Sequence, residues 1–412
     1  MPALTAWALA GLLGLGLPRS FVLLYGLLLM SAVRAWPVRP RIKNPVLGWS
    51  ALWLVLFGIS YAAAQWAWGV WVPAASYLPQ ILAVLVLPAA GLAVGWLVAG
   101  PGRSRLITGL IVAYGAGALI YALLSLAASR TPWWNLAQTF ELWVRVPWGD
   151  APFNNMRSVE QRAFLALALL PVGVPLLWDR RRARASRWLG LGLLVMAGLA
   201  AHVAWAYQGR IGLAVLALAA LPGLWLLPAW VARGWTALAA LGAVGLAAWR
   251  AGLCDERWWL QTTFLQHLAA APWGGRLIQF AYQDCQPGVL LRFGFMADAS
   301  ASSPHNVLLD VYNDGGWIPF VCLVVALAPL IFSLLRGFLR AFRLHGWSAG
   351  LAVRWSAFSL LAVQWMLQPF LYSDQLMFSL GFVLFGSLLA EFTADSPGGW
   401  HAAKPSRLHR SA

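Results

Sequence analysis

Apolar runs separated by short polar interruptions repeat along almost the whole chain. A run of about 20 apolar residues forms a helix long enough to cross a bilayer's hydrocarbon core. The pattern predicts spans over 3–17, 20–33, 46–66, 79–99, 106–128, 163–178, 188–207, 211–232, 236–249, 316–335, 348–371 and 375–391. The first two and the ninth are short enough to be re-entrant or interfacial. The expected fold class is therefore all-α, a polytopic membrane protein with about 12 transmembrane helices forming a single transmembrane domain over 1–412. Two interruptions, 129–162 and 250–315, are long enough to build a site.

Composition agrees with the pattern. Of 412 residues, 61% are hydrophobic and 10% charged, and mean hydropathy is +0.70, whereas a soluble chain carries about 25% charged residues. The first apolar run lacks a small-residue cleavage pattern behind it, so it is expected to be a retained span rather than a removed signal peptide.

Charge adds orientation. With both termini cytoplasmic, one side holds the basic runs 34–43, 102–105, 179–187 and 336–343, the tail, Arg233 and Arg354. That side carries 19 of the 29 Lys and Arg against three acids, while the other balances ten arginines with ten carboxylates. The positive-inside rule assigns the basic side to the cytoplasm. The segments 129–162 and 250–315 then become a smaller and a large periplasmic loop, and the basic runs read as topology signals beside anionic lipid, with no nucleic-acid partner.

Three cysteines show no C-x-x-C or zinc-ligand spacing, so neither structural metal nor redox chemistry is expected. Cys254 and Cys285 share the large loop, where both a disulfide and two free thiols are open. Cys322 falls within a span and reads as a small buried hydrophobe. The spans hold almost no ionisable residue apart from Arg354, and no internal repeat with broken helices is visible. Both features weigh against a transporter and place function outside the hydrocarbon core.

The large loop is the richer candidate. Between Trp258 and Leu268 its apolar positions recur with helical spacing, which predicts an amphipathic helix at the membrane surface. It ends in Ser303-Pro304-His305-Asn306, and a helical pattern follows, so His305 is expected near a helix start, with Tyr312 two turns along the same face. A neutral imidazole accepts a hydroxyl proton near neutral pH. The plainer reading is a histidine bonded to a nearby backbone group.

The segment SPHNVLLDVYNDGGWIPF resembles the H-N-x-x-L motif and glycine turn of the O-antigen ligase and polymerase family, in a large periplasmic loop before a late span. RWWLQTTFLQHLAAAPWGG resembles that family's arginine-led amphipathic segment, with Arg257 at the functional arginine. Arg210 in AYQGRIGLAVLAL stands where the family carries an S-R or G-R pair, and PFNNMRSVEQRAFLALALLP resembles an F-x-N-x-R segment whose arginine is Arg157. The motifs cover roughly 150–335, and the earlier spans match in hydropathy only.

The resemblance implies an enzyme of the bacterial inner membrane, with its site facing the periplasm. Its donor would be a glycan on undecaprenyl diphosphate, and its acceptor a lipid A core sugar, a growing glycan or a protein such as pilin. His305 would be the catalytic base, with Arg210, Arg257 and Arg157 holding the diphosphate through planar guanidinium forks. Asn306, Tyr312, Arg276 and Arg292 are possible supporting residues. Attack opposite the diphosphate would invert the anomeric configuration. No cofactor is expected, and metal is disfavoured because residues 67–78 contain no acid and the adjacent Asp255 and Glu256 point apart on a helix.

Overall fold

The apolar runs become helices whose ends are set by residues at their margins. The computed structural model describes residues 3–15, 20–35, 44–67, 78–98, 104–128, 162–178, 184–206, 219, 221–238, 241, 261, 264–265, 280–281, 300–301, 306–344, 347–367 and 375–394. Its early helices are α1 (Ala3–Gly14), α2 (Ser20–Ala35), α3 (Pro45–Ala67), α4 (Leu78–Val98) and α5 (Ser104–Ala128). After a 3-10 segment, Phe164–Leu169, come α6 (Leu170–Trp178) and α7 (Arg184–Ala206). The last four are α8 (Val307–Gly315), α9 (Trp317–Arg343), α10 (Ala349–Leu367) and α11 (Gln375–Ala394). The described strands are a two-residue antiparallel pair, β1 (Phe280–Ala281) and β2 (Ser300–Ala301).

Capping explains several starts. Asn44 Oδ1 accepts from the Val46 amide at 2.9 Å, and Pro45 takes the first helical position, where no amide is needed. Ser348 does the same for α10 through the Leu351 amide at 3.1 Å.

Among the described residues, three helical stretches are long and apolar enough to cross a membrane: Pro45–Ala67, Leu106–Leu124 and Trp317–Arg343. Large side chains such as Leu52, Ile59 and Phe332 lie exposed along these helices, as lipid-facing residues do. Shorter apolar helical stretches, including Val84–Val98 and Met377–Phe392, accompany them. The sixth expected span opens as six residues of 3-10 helix before nine of α-helix. The longer 3-10 rise lets these 15 residues reach about 25 Å.

In lipid the hydrophobic effect does not drive helices together, so close backbone approach has to. Gly91 and Gly95 of α4 form a small-x-x-x-small pair against α11, where a Cβ on Gly95 would strike the Val383 carbonyl. From the other side, a Cβ on Gly386 would strike the Leu92 carbonyl. α3 packs between α4 and α9, α1 lies on α5, and α10 packs against α11 and the 3-10 segment.

The structure corrects two expected boundaries. A loop at 233–235 between the eighth and ninth spans is not found. Residues 229–238 are helical, and the break falls at the turn 225–228, stabilised by Leu226 N to Gly223 O and Leu227 N to Leu224 O bonds. Pro228 is the cause, since its ring cannot continue a preceding helix but readily starts the next. α9 also runs past its expected end at 335 to Arg343, with Arg336, Arg340 and Arg343 exposed on its last turns. Long arginine stems let a helix leave the apolar layer without ending.

Candidate functional site

The segment that begins at Asn306 is a built corner. Asn306 has extended backbone angles (φ −143°, ψ 118°), and its Oδ1 accepts from the amides of Leu308 at 3.1 Å and Leu309 at 3.3 Å. It is 5% exposed, so water does not replace these bonds. Asn306 therefore caps α8, a structural task that the sequence left undefined. At the far end two glycines answer different needs. A Cβ on Gly315 would meet Pro319 Cγ at 2.6 Å and the Tyr61 ring at 2.8 Å. Gly316 adopts φ 78°, ψ −171°, a backbone region open essentially only to glycine.

α8 does not lie loose on a surface. Asp310 and Asp314 are 0% and 1% exposed, and Asn313 is buried beside them. Tyr61 and Gln65 of α3 face this cluster. The Tyr61 hydroxyl donates to Asp314 Oδ2 at 3.2 Å, and Gln65 Nε2 donates to the Asp314 backbone carbonyl at 2.8 Å. Asp310 also acts electrostatically on the Tyr61 hydroxyl. Sequence reasoning missed all five residues. The available signal was two carboxylates at i and i+4 in one short helix, matched by two polar groups four residues apart in an otherwise apolar span.

The described part of the arginine-led segment meets the same corner. Gln261 Nε2 donates to the Met366 carbonyl at 3.1 Å, at the end of α10, and Asn306 Nδ2 lies 4.0 Å from Met366 Sδ. The buried Phe264 ring packs edge-on against Tyr312 at 6.4 Å, and Tyr312 against Phe320 at 5.4 Å. Tyr312 is thus a packing hinge between the loop, α8 and α9. Burial raises its phenol above the ordinary value, so it stays protonated at neutral pH.

His305, Arg210, Arg257, Arg157, Arg276, Arg292, Cys254 and Cys285 lie outside the described residues. Arg162, five residues after Arg157, is described and buried at the start of the 3-10 segment. Cys322 is a free, buried thiol within α9. Among the described residues no three His, Cys, Asp or Glu side chains gather as metal ligands.

At the opposite end of α10, Arg354 Nη2 pairs with Glu391 Oε2 of α11 at 2.6 Å. Arg354 is 1% exposed and Glu391 29%. Trp355, the next residue in sequence, stacks on Phe338, and Trp225 and Trp347 complete an aromatic cluster through edge-on and tilted contacts, with the Trp225 and Trp347 centroids 4.4 Å apart. No family model matches the chain, and no curated protein matches it.

Proposed function

We propose that this chain is a membrane-embedded glycosyltransferase similar to the O-antigen ligases, moving a glycan from undecaprenyl diphosphate to an acceptor hydroxyl, lipid A core sugar being the favoured acceptor. The observation that carries the reading is the meeting of two motif segments. Gln261 and Phe264, within the arginine-led stretch, rest on Met366 and Tyr312, and Asn306, which follows His305 in sequence, caps the same corner.

In the proposed reaction His305 takes the proton of the acceptor hydroxyl as its oxygen attacks the anomeric carbon. The bond from that carbon to the diphosphate oxygen breaks, and the diphosphate leaves with the electron pair. Arg210 and Arg257, with Arg157, hold the phosphate oxygens and stabilise their growing charge. The reading includes about twelve spans in the bacterial inner membrane, cytoplasmic termini and a site facing the periplasm, supported by the charge asymmetry of the loops. Polymerase and pilin glycosyltransferase are the same chemistry with other acceptors.

The test is transfer from purified undecaprenyl-diphosphate glycan to lipid A core in detergent with EDTA. His305→Ala should lose about 10²-fold or more, as removal of a general base does, and Arg210→Ala should fall with it. Active wild type with undiminished variants would refute the site while leaving the reaction class. Transport is the second reading, favoured by the charged Arg354–Glu391 pair between α10 and α11.

A further inference from the structure

The helix at 229–238 is anchored by one face and open on the other. Trp225 Nε1 donates to Thr236 Oγ1 at 2.9 Å, and Thr236 Oγ1 donates to the Ala232 carbonyl at 2.7 Å. Trp225 is itself packed on Phe338 and Trp347, so the inner face of this helix is fixed to the end of α9. On its outer side Trp230, Val231, Gly234, Trp235 and Leu238 line a groove of about 220 Å³. Positions 230, 234 and 238 succeed one another at four-residue steps, so the groove runs along the helix axis. Trp230 is 74% exposed, and Trp235 and Leu238 are exposed with it. The groove exists because Gly234 has no side chain. After proline, glycine is the least favourable residue inside a helix, yet no contact requires it here, since a Cβ on Gly234 would meet no atom within 4 Å. At Gly95 and Gly386 a neighbouring backbone uses the space, whereas at Gly234 none of the described residues does.

The margins of the groove say what fits it. Arg233, directly before Gly234, is exposed, and among the described residues no carboxylate pairs with it. Exposed tryptophans of this kind mark the level of lipid headgroups. In the other direction Leu238 and Leu241 continue the exposed apolar surface. A cation and two indoles at one end, with apolar surface running away from them, complement a molecule that has an anionic head and a hydrocarbon tail. The guanidinium fork suits phosphate oxygens, and basic residues at a membrane surface favour anionic over zwitterionic lipid. We infer that the groove at Gly234 seats an anionic diacyl phospholipid, with its phosphate on Arg233 and one acyl chain between Trp230, Trp235 and Leu238. The inference rests on the chain lying in a membrane and is independent of the proposed glycan transfer.

The experiment uses the full chain in phosphatidylcholine nanodiscs that carry a trace of photoactivatable phosphatidylglycerol or, in parallel, photoactivatable phosphatidylcholine of the same acyl chains. Labelling of the 229–238 peptide is read by mass spectrometry against the 336–343 peptide, which bears exposed Arg336, Arg340 and Arg343 but does not line the groove. In wild type, phosphatidylglycerol should label 229–238 about fivefold more than phosphatidylcholine, the preference that one interfacial arginine supplies. Arg233→Gln should abolish that preference and leave the 336–343 peptide unchanged. Gly234→Leu fills the groove without striking another atom, so it should keep the thermal midpoint and reduce labelling of 229–238 by both lipids, with Gly234→Ala in between. Equal labelling by the two lipids in wild type overturns the proposal, as does a preference that survives Arg233→Gln. Unchanged labelling in Gly234→Leu overturns the groove as the seat of the acyl chain. Crosslinks joining the 229–238 segments of two chains, with little lipid label, would identify a second copy as the occupant and overturn it too.

Discussion

Replacing Asn306 by Ala removes a single acceptor on which two backbone donors depend. The Leu308 and Leu309 amides would be left without the Oδ1 that now accepts them at 3.1 and 3.3 Å. Cap removal typically destabilises a helix by about 0.5 to 2 kcal/mol, and this cap belongs at the upper end because its 5% exposure denies the amides a replacement water. At about 1.4 kcal/mol per factor of ten, 2 kcal/mol corresponds to roughly 30-fold in the opening equilibrium of the first turn. Hydrogen exchange read by mass spectrometry on peptides covering 307–312 should therefore accelerate about 30-fold in Asn306→Ala. Peptides from the middle of α9, around Leu323 to Leu330, should be unchanged, since both residues are 0% exposed in the core. Asn306→Ser retains a capping oxygen and should recover most of the protection. Equal exchange in wild type and Asn306→Ala would refute the capping argument, and uniform acceleration throughout α9 would refute its locality.

Three further outcomes follow from other contacts. Gly316→Ala forces a side chain into a glycine-only region and should destabilise by about 1 to 3 kcal/mol. With Cys254 and Cys285 changed to Ser, the buried Cys322 becomes the sole thiol, so a thiol-reactive dye should report the lowered midpoint directly. Glu391→Gln should destabilise more than Arg354→Met in the same assay, because it strands the more buried partner, whereas the methionine fills the arginine's place with apolar volume. Tyr312 has its phenol pKa raised by burial. The stability it contributes is complete below the unfolded value near 10 and declines as pH rises through the folded value. Tyr312→Phe should remove that alkaline component from an unfolding titration.

The long helices are legible because their signals are redundant. α3 has an Asn-Pro start and a long, largely apolar run, and α9 follows a glycine pair, so local chemistry and hydropathy agree. The break at 225–228 is harder to read because leucine and tryptophan continue on both sides of Pro228, while Arg233 imitates a span boundary. The corner at Asn306 is half legible. A helix start after His305 follows from Pro304 and the succeeding periodicity, yet nothing local says that Asp310 and Asp314 are buried. Their burial depends on Tyr61 and Gln65, some 250 residues earlier in the chain, and hydropathy carries no information on which polar faces will meet.

The single-glycine joint between α8 and α9 ties the setting of the short helix to that of the long one. α9 has 27 residues and measures about 40 Å, whereas the hydrocarbon layer is about 30 Å thick, so its arginine-bearing last turns extend beyond that layer. Gly315 is wedged between Pro319 and the Tyr61 ring, so α8 follows any rotation of α9 relative to α3. A change in the tilt of α9 relative to α3 is thereby passed on to the Asn306 cap at the start of α8.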